Sequence, residues 1–180
     1  MAMKHSQEHA QSVSDFLSWA NGINKRWFDE DENGWGPWFR GHQKAHWPLC
    51  PKLYRDYGGY RAVKRNETED EIREEFIKRA PILSTSLPDG DEQRAEWEWY
   101  FRMQHFGTPT RLLDWTEGAL IALYFAVKDN PGFYDAAVWA LDPFELNRRV
   151  IQRDYIVSPS AIGVTGLASE RRTVKAGSFS

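Results

Sequence analysis

The chain has 180 residues, with 26 acidic and 23 basic side chains and a formal net charge of -3. This length supports one domain with a sizeable core, and the charge excludes the strongly basic field of a general nucleic-acid binder. The single cysteine, Cys50, excludes an intramolecular disulfide, and no segment has the pattern of a membrane span or signal peptide, so we expect a cytoplasmic protein that does not enter a membrane.

The N-terminal part predicts a helix followed by an acidic turn. Ser12 or Ser14 can cap the helix, whose apolar side chains recur at the spacing of one face. The carboxylates of the turn, residues 29–34, lack the spacing of a calcium loop, so we expect a solvated loop. We place residues 1–37 in the same domain as residues 38–180.

Residues 35–42 predict a strand with Phe39 and Gly41 on one face and Trp38, Arg40 and His42 on the other. Gly41 allows a ligand or another backbone to approach closely. Arg40 suits a phosphate or carboxylate ligand, or a structural pair with a carboxylate such as Asp114.

A zinc site is not expected in this region. His42, His46 and Cys50 are spaced by four, which would align them on a helix, but two prolines argue against a helix there. Residues 52–65 form the most basic stretch of the chain, either as a solvated loop or as a phosphate-facing rim.

Two helices are predicted between residues 68 and 105. Thr68 and Glu71 form a capping box for the first, and Pro81 is expected to help end it. Asp91 caps the second, which is expected to end near His105, ahead of Gly107.

The segment from Thr110 to Val127 predicts a short strand at 110–115 and, after Thr116 as N-cap, a helix at 119–127. Because the helix has no charged residue, we expect it to be buried on nearly all sides as the core helix. Arg111 and Asp114 interrupt the apolar strand, so we expect both to be largely buried and hydrogen-bonded, either to each other or facing a polar cleft.

The C-terminal part predicts a turn at 130–132, a fully buried strand at 136–141 and a helix that begins at Asp142 and Pro143. A last strand is expected to start near Thr173. Helices and short strands do not alternate regularly, which predicts a single α+β domain with a small, curved mixed or antiparallel sheet and packed helices.

Five short motifs occur in an order that resembles the FRG domain family, named for its aromatic-Arg-Gly signature. They are Trp38-Phe39-Arg40-Gly41, Trp47-Pro48-Leu49, Leu53-Tyr54-Arg55, Gln104-His105-Phe106-Gly107 and the run from Pro109 to Thr116. The resemblance covers residues 38–180. It departs from the family near the end, where Lys175 and Ala176 stand at glutamine positions.

The early Arg, the Gly beside it and the later Tyr-Phe-Ala helix loosely resemble the ADP-ribosyltransferase superfamily. That resemblance implies that Arg40 braces a nucleotide, with NAD as the candidate substrate, and that the backbone next to it holds the nicotinamide amide. Cleavage of NAD passes through an oxocarbenium-like state that a carboxylate stabilises. Glu145 and Glu170 are candidates for the late glutamate of that superfamily.

These resemblances and the positions of the polar residues define one candidate site. The proposed catalytic residues are Arg40, His105 and Asp114. The proposed ligand-binding residues are Gly41, His42, Gln104, Thr110, Arg111 and Thr116. We expect no metal and no bound cofactor. Two alternatives stay open: a non-catalytic module that binds a nucleotide or, less favoured by the net charge, nucleic acid; and a regulatory protein that docks a protein target through exposed tryptophans.

Overall fold

The structure, a computed structural model, describes residues 8–30, 36–55, 65–83, 88 and 92–157. In these ranges the elements are α1 (Val13–Glu30), β1 (Trp38–His42), a short 3-10 helix (Lys52–Tyr54), α2 (Arg65–Leu83), α3 (Glu92–His105), α4 (Ala119–Val127), β2 (Ala137–Leu141) and α5 (Pro143–Val150). The two strands pair antiparallel, so the predicted α+β class with an antiparallel sheet is confirmed. The predicted last strand and Glu170 lie outside the described residues.

Contacts divide the described residues into two compact units. The first unit contains the chain up to Pro48 together with Asp114–Ile156, and the second contains Leu49–Leu113. Both strands and α1, α4 and α5 belong to the first unit, whereas α2 and α3 belong to the second.

The core of the first unit joins α1, β1 and α4. Phe16 and Ala20 from α1 meet Phe39 of β1 and Ala122 of α4 in one buried cluster. Helix α1 starts as predicted at Ser12, whose Oγ accepts a hydrogen bond from the Asp15 amide at 3.1 Å. The Ser12 amide in turn donates to the Asp15 carboxylate at 3.0 Å, which closes a reciprocal cap. The helix extends to Glu30, so Asp29 and Glu30 are helical rather than part of the predicted acidic turn, whose residues 31–34 lie outside the described residues.

Gly41 lies where α4 packs against the sheet. A Cβ atom at this position would be 2.0 Å from the carbonyl oxygen of Ala122 and 2.7 Å from the amide nitrogen of Ala126. The sequence predicted that either a ligand or another backbone segment approaches Gly41 closely. The structure shows that it is a backbone segment, that of α4. The predicted alternation along β1 is confirmed, with Phe39 and Gly41 on the α4 side.

Helix α4 has the predicted bounds but not the predicted burial. Only Ala122 and Ala126 are buried, whereas most of its large side chains are exposed. The prediction of a helix buried on all sides is therefore wrong. Its N-cap is Gly118 rather than Thr116, and the Thr116 hydroxyl instead accepts a hydrogen bond from the Gly118 amide at 3.1 Å.

The end of the first unit follows its local signals. Gly132 has a positive φ of 83° and donates its amide to the Asn130 side chain at 2.9 Å, which confirms the turn. Strand β2 follows but is half-buried throughout, so its predicted full burial is wrong. Asp142 caps α5 as predicted by accepting a hydrogen bond from the Glu145 amide at 2.8 Å, with Pro143 as the first helical residue.

Both helices predicted for the second unit are present, although the predicted N-terminus of α2 was wrong. Helix α2 begins at Arg65, ahead of the predicted cap at Thr68, and continues past Pro81 to Leu83. Helix α3 ends at His105, where Gly107 adopts a φ of 74°. The amides of Gly107 and Thr108 then bond back to the carbonyls of Gln104 and Met103 at 3.0 and 2.9 Å, in a Schellman-type end.

The predicted strand at 110–115 is wrong. The chain there is irregular, and the nearest sheet-like pairing is an isolated bridge between Thr116 and Phe39. Thr116 accepts from the Phe39 amide at 2.6 Å and donates to the Phe39 carbonyl at 2.9 Å. Thr110 instead accepts a backbone hydrogen bond from Leu53 at 3.2 Å, within the second unit.

Among the helices of the described ranges, none combines the length and apolar character needed to cross a membrane.

Candidate functional site

Arg40 projects from the face of the sheet opposite α4. Its side chain is half-buried, and its Nη1 donates to the backbone carbonyl oxygen of Asp114 at 2.6 Å. Its Nε donates to Nε2 of His42 at 3.3 Å. These two contacts help to orient the guanidinium.

His42 is buried beside Arg40, with 4% of its surface exposed. The indole Nε1 of Trp139 lies 3.3 Å from its Nδ1, and the two rings meet edge to face with centroids 6.1 Å apart. A neutral imidazole accepts through one ring nitrogen, so His42 accepts from Arg40 or from Trp139 but not from both at once. Trp139 is also the direct register partner of Arg40 across the sheet. We name the side chains of Arg40, His42 and Trp139, together with the Asp114 carbonyl, the Arg40 cluster.

The sequence predicted the strand that contains Trp139 but did not identify Trp139 as a site residue. Its position in an apolar run gave no sign of a role, because the register that sets it opposite Arg40 joins residues far apart in the chain. Alternation along the strand was the available signal, since every second residue of β2 lies on the same face.

Asp114 contributes its backbone rather than a buried carboxylate. Its side chain is exposed, so the prediction that it is largely buried is wrong. Arg40 and Asp114 are joined through the carbonyl oxygen of Asp114. The first unit thus brings together Arg40, His42 and Asp114, with Gly41 and Thr116 adjoining them along the chain and the β bridge.

Arg111 pairs with Glu69 rather than with Asp114. Glu69 is fully buried, accepts from the Arg111 amide at 2.9 Å and binds the guanidinium through its second oxygen. Burial opposes the charge of Arg111, but the bonds to Glu69 outweigh it, so the pKa of Arg111 is raised. Burial, followed by the charge of Glu69, also raises the pKa of the neighbouring Tyr100. The Arg111 side chain is 31% exposed and is bound within the second unit.

The three other predicted site residues also lie in the second unit. Thr110 is fully buried, and its hydroxyl bonds the side-chain carbonyl of Gln104 while accepting from the Leu112 amide at 3.3 Å. His105 is exposed at the end of α3, with its ring edge-on to Phe106 at 5.5 Å. The ligand and catalytic roles of Gln104, His105, Thr110 and Arg111 stay predictions.

Glu145, one of the two candidates for a late glutamate, is bound within α5. Its carboxylate bonds both Arg149 and Arg148, and these bonds, that from Arg149 most strongly, lower the pKa of Glu145. Across the described ranges, no three His, Cys, Asp or Glu side chains are grouped as metal ligands would be.

The comparisons with known proteins concern the same region. The family model of the FRG domain matches residues 36–134, which is more than half of the chain and contains β1, α4 and Asp114. No curated protein and no solved structure shows significant similarity to the chain. The aromatic-Arg-Gly segment at Phe39, Arg40 and Gly41 lies inside the matched residues, and this chain therefore belongs to the FRG domain family.

Proposed function

We propose that this FRG-domain protein binds an anionic nucleotide at the Arg40 cluster, with NAD as its candidate substrate. The observation that supports it best is the orientation of Arg40. Its guanidinium is half-buried, and its bonds to the Asp114 carbonyl and to the His42 ring help to fix its direction. A fixed, charged guanidinium is well suited to phosphate oxygens, which it binds in a bidentate manner.

Trp139 provides the second feature that suits a nucleotide. Its indole lies on the strand opposite Arg40 and is oriented by the contact with His42. An aromatic ring near an anion-binding side chain can stack with a nucleobase or a nicotinamide ring while the phosphates bind the guanidinium.

We assign Asp114 as the carboxylate of an NAD-cleaving reaction. The glycosidic bond to nicotinamide breaks with its electron pair leaving on nicotinamide, and water then adds to the oxocarbenium-like ribose and loses a proton. A carboxylate near that ribose would stabilise its positive charge. Asp114 is joined to the Arg40 cluster through its own backbone carbonyl, and the residue is exposed.

Titration calorimetry with ADP-ribose and with NAD tests the binding step. Arg40→Lys keeps the charge but loses the bidentate fork, so we expect a loss of about 1.5–3 kcal/mol, which is roughly ten- to a hundredfold in Kd. The matched control is Arg148→Lys on α5, where the arginine pairs with Glu145 and should not affect the affinity. Unchanged ADP-ribose affinity in Arg40→Lys would show that Arg40 is structural only.

Release of nicotinamide from NAD tests the catalytic step separately. We expect Asp114→Asn to bind ADP-ribose normally and to lose most of the turnover, because only the charge opposite the oxocarbenium-like state is removed. Binding of NAD without any nicotinamide release by the wild-type chain would exclude catalysis and support the non-catalytic binding module.

A further inference from the structure

Helix α4 buries its small side chains and exposes its large ones. Ala122 and Ala126 face the sheet, and Ala119 and Leu123 pack beside them. The large outward side chains are between 48% and 59% exposed, and they are Leu120, Ile121, Tyr124, Phe125 and Val127. Helices that face water normally place charged and polar residues on that side. We call these five residues the outward face.

The outward face is one continuous surface. Its members are spaced so that they fall on adjacent turns of the same side of a helix with 3.6 residues per turn. A large apolar or aromatic side chain contributes about 150–250 Å² when fully buried, so five half-exposed side chains present about 500 Å². Phe133, which is 82% exposed in the turn after α4, enlarges the exposed apolar surface of this unit. This approaches the roughly 800 Å² per partner of a standard interface.

The charges that border α4 have opposite signs at its two ends. Glu117 precedes the helix and is exposed, Lys128 follows it, and no charged residue lies between Ala119 and Val127. The two charges of one chain are roughly 16 Å apart at 1.5 Å per residue, which is too far for them to pair. The Lys128 ammonium lies 5.0 Å from the ring centroid of Phe125 and 3.7 Å from the Asp129 carboxylate, so it sits at the border of the outward face.

We propose that the outward face binds the same face of a second copy of this chain, with the two α4 helices antiparallel across a two-fold axis. A two-fold interface requires a surface that is complementary to itself. In this arrangement Glu117 of each copy lies beside Lys128 of the other, and the two helix dipoles also run in opposite directions. The apolar side chains between those charges form the centre of the interface, and the charged pairs form its rim.

The mass of the full chain over a concentration series, measured by sedimentation velocity, tests this dimer. We expect a reversible dimer for the wild type and a monomer for Tyr124→Glu. At a low protein concentration, where the wild type is also monomeric, the two unfolding midpoints should be equal, since this side chain is exposed in the single chain. The matched control is Ile82→Glu on α2, an exposed apolar residue of the second unit that should leave the dimer intact.

A charge exchange tests the antiparallel orientation. Glu117→Lys and Lys128→Glu should each weaken dimerisation about tenfold, because each brings two like-charged pairs together, and the double variant should restore it. The proposal is overturned if the wild-type chain stays monomeric at hundreds of micromolar. This holds also if such a monomer binds another protein or lipid vesicles through the outward face. A dimer that survives Tyr124→Glu also overturns it. So does a Tyr124→Glu midpoint that is lowered at a concentration where the wild type is monomeric, because the chain itself would then cover the face.

Discussion

Among the glycines of the described residues, Gly41 leaves the least room for a side chain. A methyl group there would lie 2.0 Å from the Ala122 carbonyl oxygen, and that atom belongs to the helix backbone and cannot rotate away. We expect Gly41→Ala to lower the free energy of unfolding by about 3 kcal/mol, at the upper end of the usual range for overpacking. Urea unfolding followed by circular dichroism measures it.

Gly22 provides the opposite control for this substitution. It lies within α1, and a Cβ atom there would meet nothing within 4 Å. Gly22→Ala should therefore stabilise the protein by about 0.5–1 kcal/mol, because alanine loses less backbone entropy in a helix. If Gly41→Ala and Gly22→Ala changed the free energy of unfolding equally, α4 would have to move away from residue 41 to make room for the methyl group.

Glu69 is the carboxylate on which Arg111 depends. Replacing Glu69 by Ala should lower the free energy of unfolding by about 3 kcal/mol, since it leaves the guanidinium and the Arg111 amide without this partner. We take the low end of the range for a broken buried pair because the Arg111 side chain is 31% exposed.

Asp114→Ala is the matched comparison for Glu69→Ala. A buried carboxylate paired with an arginine, as expected for Asp114 from the sequence, would give a loss of about 3–5 kcal/mol. Because Arg40 binds the Asp114 carbonyl and the carboxylate is exposed, we now expect less than about 1 kcal/mol. A larger loss for Asp114→Ala than for Glu69→Ala would reverse this assignment.

At the scale of the element, helix α4 places its two leucines in different environments, although the sequence pattern does not distinguish them. Leu123 packs against the core cluster, whereas Leu120 is exposed. Leu123→Ala should lower the free energy of unfolding by about 2 kcal/mol through transfer and cavity terms, and Leu120→Ala by less than about 0.5 kcal/mol. The measurement belongs at low protein concentration, where dimerisation does not contribute, and equal losses would contradict the observed orientation of the helix.

Element boundaries were predictable where a short-range chemical signal marks them. Ser12, Gly107 and Asp142 each bond to backbone groups within five residues, so the sequence places the ends of α1, α3 and α5 well. The rotation of α4 was not predictable, because every residue in it is apolar and the pattern therefore has no period.

The partners of the charged residues were not predictable from spacing. Arg111 finds Glu69 42 residues earlier in the chain, and Arg40 finds the Asp114 carbonyl 74 residues later. The sequence grouped nine residues into one site because their motifs are close or similar in type. The structure places five of them in the first unit and four in the second.

For the whole molecule, three carboxyl groups predict the direction of acid denaturation. The pKa of Asp15 is lowered by bonding to Ser12, that of Glu75 by Lys78 and that of Glu145 by Arg149. Each group is therefore protonated less readily in the folded chain than in the unfolded chain. Their stabilisation is present above the ordinary values of 3.8 for Asp15 and 4.5 for the glutamates, and is lost as pH falls through the folded values.

We expect the urea midpoint to be steady from neutral pH to about pH 5 and to fall below about pH 4.5. Glu145→Gln should be slightly less stable than the wild type at neutral pH, and the difference should vanish in acid, where the wild-type carboxyl is also uncharged. A wild-type midpoint that rises on acidification would contradict the lowered pKa values.

The pairing of β1 with β2 has a consequence for synthesis on the ribosome. Trp139 contacts His42 across 97 residues of chain, so at roughly 5–20 residues per second β1 waits about 5–20 s for its partner strand. Until α4 has been made, Phe39, which is fully buried in the finished fold, has neither β2 nor α4 to cover it. The residues of the second unit that precede Asp114 are all made within the same interval. The nascent chain thus presents an apolar segment to chaperones for several seconds before the sheet can close.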